Sequence, residues 1–63
     1  MSETTKQALQ YVKNTGGGAT KADFMDDHEP IGGLLWDSIS VLVREDDHGK
    51  IFLTEDGEKV LGA

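Results

Sequence analysis

The stretch VREDDHGKIFLTEDGEKVL, Val43–Leu61, decides the fold prediction because it reads as strand, turn, strand and helix. Apolar and β-branched residues predict two short strands, Leu42–Glu45 and Lys50–Leu53. Turn-forming residues fill Asp46–Gly49 between them, which predicts an antiparallel hairpin. Thr54 is placed to cap a final helical turn that packs back on the core.

Two helices are predicted upstream of the hairpin. Apolar residues recur at helical spacing over Ser2–Asn14, and the following TGGG favours a helix end because glycine readily adopts the left-handed conformation. Thr20 with Asp23 three residues later forms a capping-box-like start. The second helix is expected to be short, to end near Asp27 or His28 and to bury Phe24.

The segment PIGGLLWDSISVL predicts a third helix. Pro30 suits its first turn, although Gly32 and Gly33 disfavour a helix interior, so the helix is expected to begin after them. On a helical wheel the predicted buried stripe consists of Ile31, Leu35, Ile39 and Leu42. The opposite face holds Gly33, Trp36, Asp37 and Ser40.

The length of 63 residues predicts one small domain, 1–63, with a marginal core. The chain has no cysteine, so disulfides and thiolate zinc sites cannot add stability. Small domains of this kind gain stability from compact helical packing, from homodimer formation or from docking on a larger partner. The sequence therefore gives a physical motive for self-association.

The charge balance is strongly acidic, with 12 acidic against 6 basic residues and a formal net charge of −6. Such a chain repels nucleic acid and anionic membranes at long range. Acidic residues scattered along the chain are typical of a salt-rich cytoplasm, where self-repulsion is screened, so we expect a halophilic source. The sequence contains neither a signal-peptide-like apolar run nor a membrane-length one, which predicts a soluble, cytoplasmic protein without a membrane partner.

The order helix, helix, helix, hairpin resembles the small archaeal winged helix-turn-helix regulators of the MarR and ArsR types. The resemblance rests on GGATKADF, WDSISVLVRED and KIFLTEDGEKVL, and its most specific positions are Leu53, Thr54, Gly57 and Leu61. It implies an α+β, mainly α fold with three helices, a two-stranded wing and a short C-terminal helical turn. It also implies a DNA-binding regulator, although winged helices serve several kinds of partner.

By this resemblance Ile31–Leu42 is the recognition helix, yet no basic residue lies between Ile31 and Val43. Recognition helices usually present basic or amide side chains to bases and phosphates. The candidate DNA contacts are Lys13, Lys21, Ser38, Ser40, Arg44 and Lys50. Four basic contacts make a modest phosphate footprint.

The alternative prediction is a protein-interaction or dimerisation module that does not bind DNA. Its candidate interface is Leu34, Trp36 and Val41, because an exposed aromatic with apolar neighbours is a typical interface anchor. Trp36 is equally well explained as a core residue, since tryptophan is highly buried on average. His28 and His48 each follow two aspartates, but their spacing matches no metal signature and solvated turns are the default. We expect no catalytic residues, no metal and no cofactor.

Overall fold

The computed structural model describes residues 2–62; Met1 and Ala63, the two ends of the predicted domain, lie outside them. Over these described residues the fold is α+β, with four α-helices and one two-stranded antiparallel sheet. In chain order the elements are α1 (Glu3–Thr15), α2 (Lys21–Asp27), α3 (Gly32–Ile39), a 3-10 turn (Ser40–Leu42), β1 (Val43–Glu45), β2 (Ile51–Leu53) and α4 (Glu55–Gly62).

The first two helices begin as the sequence predicts. The Ser2 hydroxyl accepts a hydrogen bond from the Thr5 amide and caps α1, which ends at Gly16 in the left-handed conformation with φ of 51°. At α2 the Thr20 side chain accepts from the Asp23 amide, and the Asp23 carboxylate accepts from the Thr20 amide. The capping box is therefore confirmed with aspartate in place of glutamate.

The start of α3 differs from the prediction. The helix includes both glycines, and Pro30 precedes it, joined to Glu29 by a cis peptide bond. Gly32 is buried where α3 crosses α2. A Cβ at this position would lie 2.8 Å from the Met25 carbonyl oxygen. The low helix propensity of glycine is thus offset by close packing of the two backbones. Ile31 is the N-cap residue of α3 and makes no side-chain capping hydrogen bond. Its side chain is 43% exposed, so its prediction as a buried residue is wrong.

The hairpin pairs Val43 with Leu53 and Glu45 with Ile51. The predicted strands are each one residue too long, because Leu42 ends the 3-10 turn and Lys50 belongs to the hairpin loop. In that loop Gly49 adopts φ of 76° and donates to the Asp46 carbonyl, as in a type I turn closed by a glycine bulge.

The hairpin is attached to the turn between α1 and α2. The Ile51 amide donates to the Ala19 carbonyl at 2.9 Å, and Thr20 and Lys50 form an isolated antiparallel bridge. This attachment places the return strand across the end of α1, and α1 contacts both β2 and α3. The hairpin is therefore part of the folded body rather than a projecting arm.

The C-terminal segment is a full helix, so the predicted count of three helices plus a turn is wrong. Thr54 caps α4 by accepting from the Gly57 amide, while its own amide and hydroxyl donate to the Leu42 carbonyl. Val60 and Leu61 pack against the core as the sequence predicts. Gly57 is buried against the backbone at Leu42, and a Cβ at this position would lie 2.5 Å from the Leu42 carbonyl oxygen.

One apolar core joins all these elements. Phe24, Ile39 and Ile51 are fully buried, and Leu35 is nearly so. Within residues 2–62 the buried apolar residues are Ala8, Leu9, Val12, Ala19, Phe24, Leu35, Ile39, Val43 and Ile51. Of the predicted α3 stripe, Leu35 and Ile39 are buried and Leu42 packs at the margin. The core fixes which side of α3 faces outward.

Candidate interaction surface

The outward side of α3 carries two large exposed apolar side chains among polar residues. Because Leu35 and Ile39 point into the core, Leu34 is turned away from it and is 71% exposed. Val41, in the 3-10 turn that extends α3, is 82% exposed. Among residues 2–62 the exposed large hydrophobic side chains are these two and Ile31, and all three lie in or beside α3. We call Leu34, Ser38 and Val41, with Asp37 at their edge, the α3 face.

Two of the four residues of the α3 face are polar. Asp37 is the one charged residue between Gly32 and Leu42. The Ser38 hydroxyl donates to the Leu34 carbonyl at 3.1 Å, so its single donor is used within the helix while its oxygen can still accept a hydrogen bond. Ser40 is exposed at the start of the 3-10 turn. The face thus offers apolar contact with one carboxylate and no basic group.

Trp36 lies at the border of core and surface. Its ring packs edge-on against Phe24, with ring centres 5.6 Å apart, and is half-buried. The Lys21 ammonium lies 5.2 Å from the centre of the Trp36 ring, a cation–π contact across the junction of α2 and α3. Trp36 therefore packs between α3 and α2 and is only partly exposed, whereas the side chains of Leu34 and Val41, its predicted neighbours in the interface, are mostly exposed.

An aromatic cluster behind Trp36 has no counterpart in the sequence prediction. Phe24 stacks on His28 with ring centres 4.2 Å apart and meets Tyr11 edge-on at 5.7 Å. The Tyr11 hydroxyl donates to the Asp27 carboxylate at 2.6 Å, and this hydrogen bond raises the pKa of Tyr11 to about 12. The His28 ring bonds to the Phe24 carbonyl, so this histidine has a structural role. No spacing rule links Tyr11 to Asp27, because they come from different helices.

Two of the predicted phosphate contacts, Lys13 in the last turn of α1 and Arg44 in β1, lie together. Lys13 and Arg44 line a shallow concavity of about 300 Å³ with Phe52 and Glu58. The Arg44 guanidinium lies 4.6 Å from the centre of the Phe52 ring, its cross-strand partner. Glu58 supplies an opposing charge within the same concavity. Phe52 was missed by the sequence prediction, and the hairpin register is the signal that identifies it.

The other two basic candidates are close along the backbone at the start of α2. Lys21 is the first residue of α2, and the bridge between Thr20 and Lys50 brings Lys50 beside it along the backbone. Lys21 is exposed, although its ammonium leans over Trp36. The six predicted DNA contacts therefore separate into the Lys13 and Arg44 concavity, the Lys21 and Lys50 pair, and the two serines of the α3 region.

The three adjacent carboxylates of the hairpin differ in their roles. Asp46 accepts hydrogen bonds from the amides of Lys50 and His48 at 2.9 and 2.8 Å. These bonds, that from Lys50 foremost, hold the pKa of Asp46 below its usual value. Glu45 and Asp47 are exposed and add negative charge to the hairpin. One of the three acids thus stabilises the loop, and the other two oppose contact with phosphate.

Residues 2–62 contain no group of three or more histidine or acidic residues arranged to hold a metal ion. None of the helices in that range is long and apolar enough to cross a bilayer. No protein-family model matches the chain, and no curated protein or solved structure is significantly similar to it.

Proposed function

We propose that the chain is a non-enzymatic winged-helix module that binds a protein partner through the α3 face. The winged-helix assignment is supported by the succession α1, α2, α3 and hairpin, with the hairpin bonded to the start of α2. The partner class is supported by one observation above all. The exposed large hydrophobic side chains of residues 2–62 are gathered in or beside the helix that a winged-helix protein presents to its target.

The energetics favour a protein over DNA as the target of α3. Covering side chains as exposed as Leu34 and Val41 stabilises a complex by roughly 1.5–2 kcal/mol each. In a DNA groove the same face has no basic group for a phosphate, and Asp37 repels the backbone charge. A groove would also leave much of the apolar surface in contact with water. An apolar partner surface rimmed by polar groups fits this face better.

DNA binding is the second candidate, and the proximity of Lys21 and Lys50 along the backbone favours it. Both lysines flank the first turn of α2, where a basic group could contact a phosphate. The hairpin works against this arrangement because Glu45 and Asp47 are exposed on it. This candidate requires high salt to screen the net charge of −6.

Site-specific photocrosslinking tests the two candidates in one experiment. A benzoylphenylalanine placed at position 34 of the full chain is irradiated in the cells from which the protein comes. The matched control carries the same group at position 55, where Glu55 is exposed on α4. We expect protein adducts at position 34 that are absent at position 55. Adducts to nucleic acid alone, or no adduct specific to position 34, would contradict the proposal.

Titration of a labelled mixed-sequence duplex provides the second measurement. Fluorescence anisotropy is followed from dilute to multimolar KCl, with circular dichroism confirming the fold in each buffer. We expect no binding at any salt concentration where the chain is folded. Binding that is lost when Lys21 and Lys50 are both changed to Gln would establish the second candidate instead.

A further inference from the structure

We propose that the concavity between α1, the hairpin and α4 is a binding site for a small zwitterion, namely a free α-amino acid with an apolar side chain. Its lining comes from the end of α1, from both strands and from the middle of α4, and none of it belongs to α3. The proposal therefore goes beyond the α3 face and does not depend on it.

Three charged side chains line this concavity without neutralising one another. Lys13 and Arg44 bring two positive charges, and Glu58 brings one negative charge. Within residues 2–62 the ion pair is that of Lys59 with Glu55, so none of the three has an ionic partner in that range. Unpaired groups of opposite charge in one concavity can each bind the complementary end of a single ligand.

The positive half of the site is suited to a carboxylate. The Arg44 guanidinium lies 4.6 Å from the centre of the half-buried Phe52 ring. That ring is itself held in place, because it packs so closely on Gly17 that a Cβ there would lie 2.6 Å from it. A guanidinium that is already positioned can donate two parallel hydrogen bonds to a carboxylate with little further loss of freedom. Lys13 adds a second positive charge to the same concavity.

The negative half of the site is suited to an ammonium group. Glu58 offers an ionised carboxylate, which only accepts hydrogen bonds. The C-terminal end of α1 meets the concavity at Gly16, and the carbonyl groups at a helix end carry partial negative charge. A primary ammonium has three donors, which a carboxylate and such carbonyls together can accept. Both groups would repel a phosphate.

Apolar side chains and a small volume define the rest of the ligand. Val12 is fully buried, and Leu53 and Phe52 are partly buried, so hydrocarbon lies within reach of a ligand side chain. A volume of about 300 Å³ equals a sphere roughly 8 Å across, which fits one amino acid rather than a nucleotide. Because the concavity is shallow, we expect a dissociation constant of about 1 mM.

Proton–nitrogen NMR spectra of the full chain test the site with four probes. L-phenylalanine carries all three groups, whereas phenylpropanoate lacks the ammonium, phenethylamine lacks the carboxylate and glycine lacks the apolar side chain. Each is titrated at the lowest KCl concentration at which circular dichroism shows the chain folded. We expect L-phenylalanine to shift the amides of Gly16, Arg44 and Phe52. It should bind about five-fold more tightly than each of the others, since each of them loses a charged hydrogen bond or an apolar contact.

Variants that remove one charge identify the two halves of the site. Arg44→Gln should weaken binding of L-phenylalanine and phenylpropanoate about five-fold without weakening that of phenethylamine. Glu58→Gln should weaken binding of L-phenylalanine and phenethylamine without weakening that of phenylpropanoate. The matched controls are Lys6→Gln and Glu45→Gln, which remove the same charges at exposed positions outside the concavity and should follow the parent.

Several results would overturn the proposal. These are equal binding of the four probes, shifts confined to amides outside the concavity, or equal effects of the control variants and of Arg44→Gln and Glu58→Gln. The absence of any shift with L-phenylalanine well above the expected dissociation constant would overturn it too. Inorganic phosphate is the last probe. If phosphate shifts the same amides more strongly than L-phenylalanine at equal ionic strength, the site binds a phosphate group and the zwitterion is excluded.

Discussion

Neighbouring glycines at the start of α3 should respond in opposite directions to the same substitution. Gly33→Ala places a methyl group where no atom lies within 4 Å apart from its chain neighbours and the backbone of its own helix. Gly32→Ala places it 2.8 Å from the carbonyl oxygen and 3.0 Å from the Cα of Met25, both of which belong to the backbone of α2. The two variants have the same composition and differ only in what the methyl group meets.

Two terms set the magnitude. Alanine is favoured over glycine by up to ~1 kcal/mol inside a helix, and by about half of that in a first turn such as this one. Gly33→Ala should therefore stabilise the fold by about 0.5 kcal/mol. Overpacking of a close contact costs roughly 1–3 kcal/mol, because α2 must move away from α3. Gly32→Ala should therefore destabilise the fold by about 1–2 kcal/mol.

The assay is urea and thermal unfolding in molar KCl, followed by circular dichroism and Trp36 fluorescence. A gap of about 2 kcal/mol between the variants corresponds to roughly 10 °C in melting temperature for a domain of this size. Equal stabilities, or greater stability of Gly32→Ala, would refute the close approach of α2 and α3. A gap seen by fluorescence but not by circular dichroism would refute a single cooperative unit.

Three further changes test contacts that hold the elements together. Tyr11 is the only tyrosine, so a spectrophotometric titration reports its pKa of about 12 directly, and Asp27→Asn should lower that pKa toward 10. The stabilisation from this bond is complete below the ordinary tyrosine pKa and is lost as pH rises through about 12; a pKa unmoved by Asp27→Asn would contradict it. Asp46→Ala should accelerate hydrogen exchange of the Lys50 amide, because that amide donates a hydrogen bond to the Asp46 carboxylate. Unchanged exchange would argue against the loop geometry. In the parent that contact weakens as pH falls through the lowered pKa of Asp46. Thr20→Ala should cost about 1 kcal/mol in urea unfolding through loss of the capping box, and a neutral result would count against that cap.

Local signals in the sequence predict most of the elements correctly. The caps at Ser2 and Thr20 depend on neighbours three residues away, and the hairpin loop depends on Gly49, so short-range rules suffice for them. The glycines of α3 are predicted to precede the helix, but they lie within it, because helix propensity describes an isolated helix. Gly32 and Gly57 lie where another backbone approaches, and that approach is set by tertiary packing.

The candidate surface was predictable only in part. Helical periodicity places Leu34 away from Leu35 and Ile39, and the structure exposes it accordingly. The same periodicity assigns Ile31 to the core. However, α3 begins at Gly32, so Ile31 lies outside the helix and the helical periodicity does not apply to it. Trp36 could not be assigned from sequence, because its partial cover comes from Phe24 and Lys21 on another helix. The Lys13 and Arg44 concavity likewise requires the hairpin to be docked.

The bond from the Ile51 amide to the Ala19 carbonyl closes the chain into a long loop that contains α2, α3 and β1. Closing a loop of this length costs roughly 3 kcal/mol in chain entropy, so the hydrogen bond between Ile51 and Ala19 should form late in folding, after α2 and α3 have packed. Once closed, it ties the beginning of the enclosed segment to its end. A ligand that restrains α3 would therefore also slow the opening of the hairpin. Native-state hydrogen exchange of the Ile51 amide would then report binding at the α3 face, although Ile51 is not part of that face.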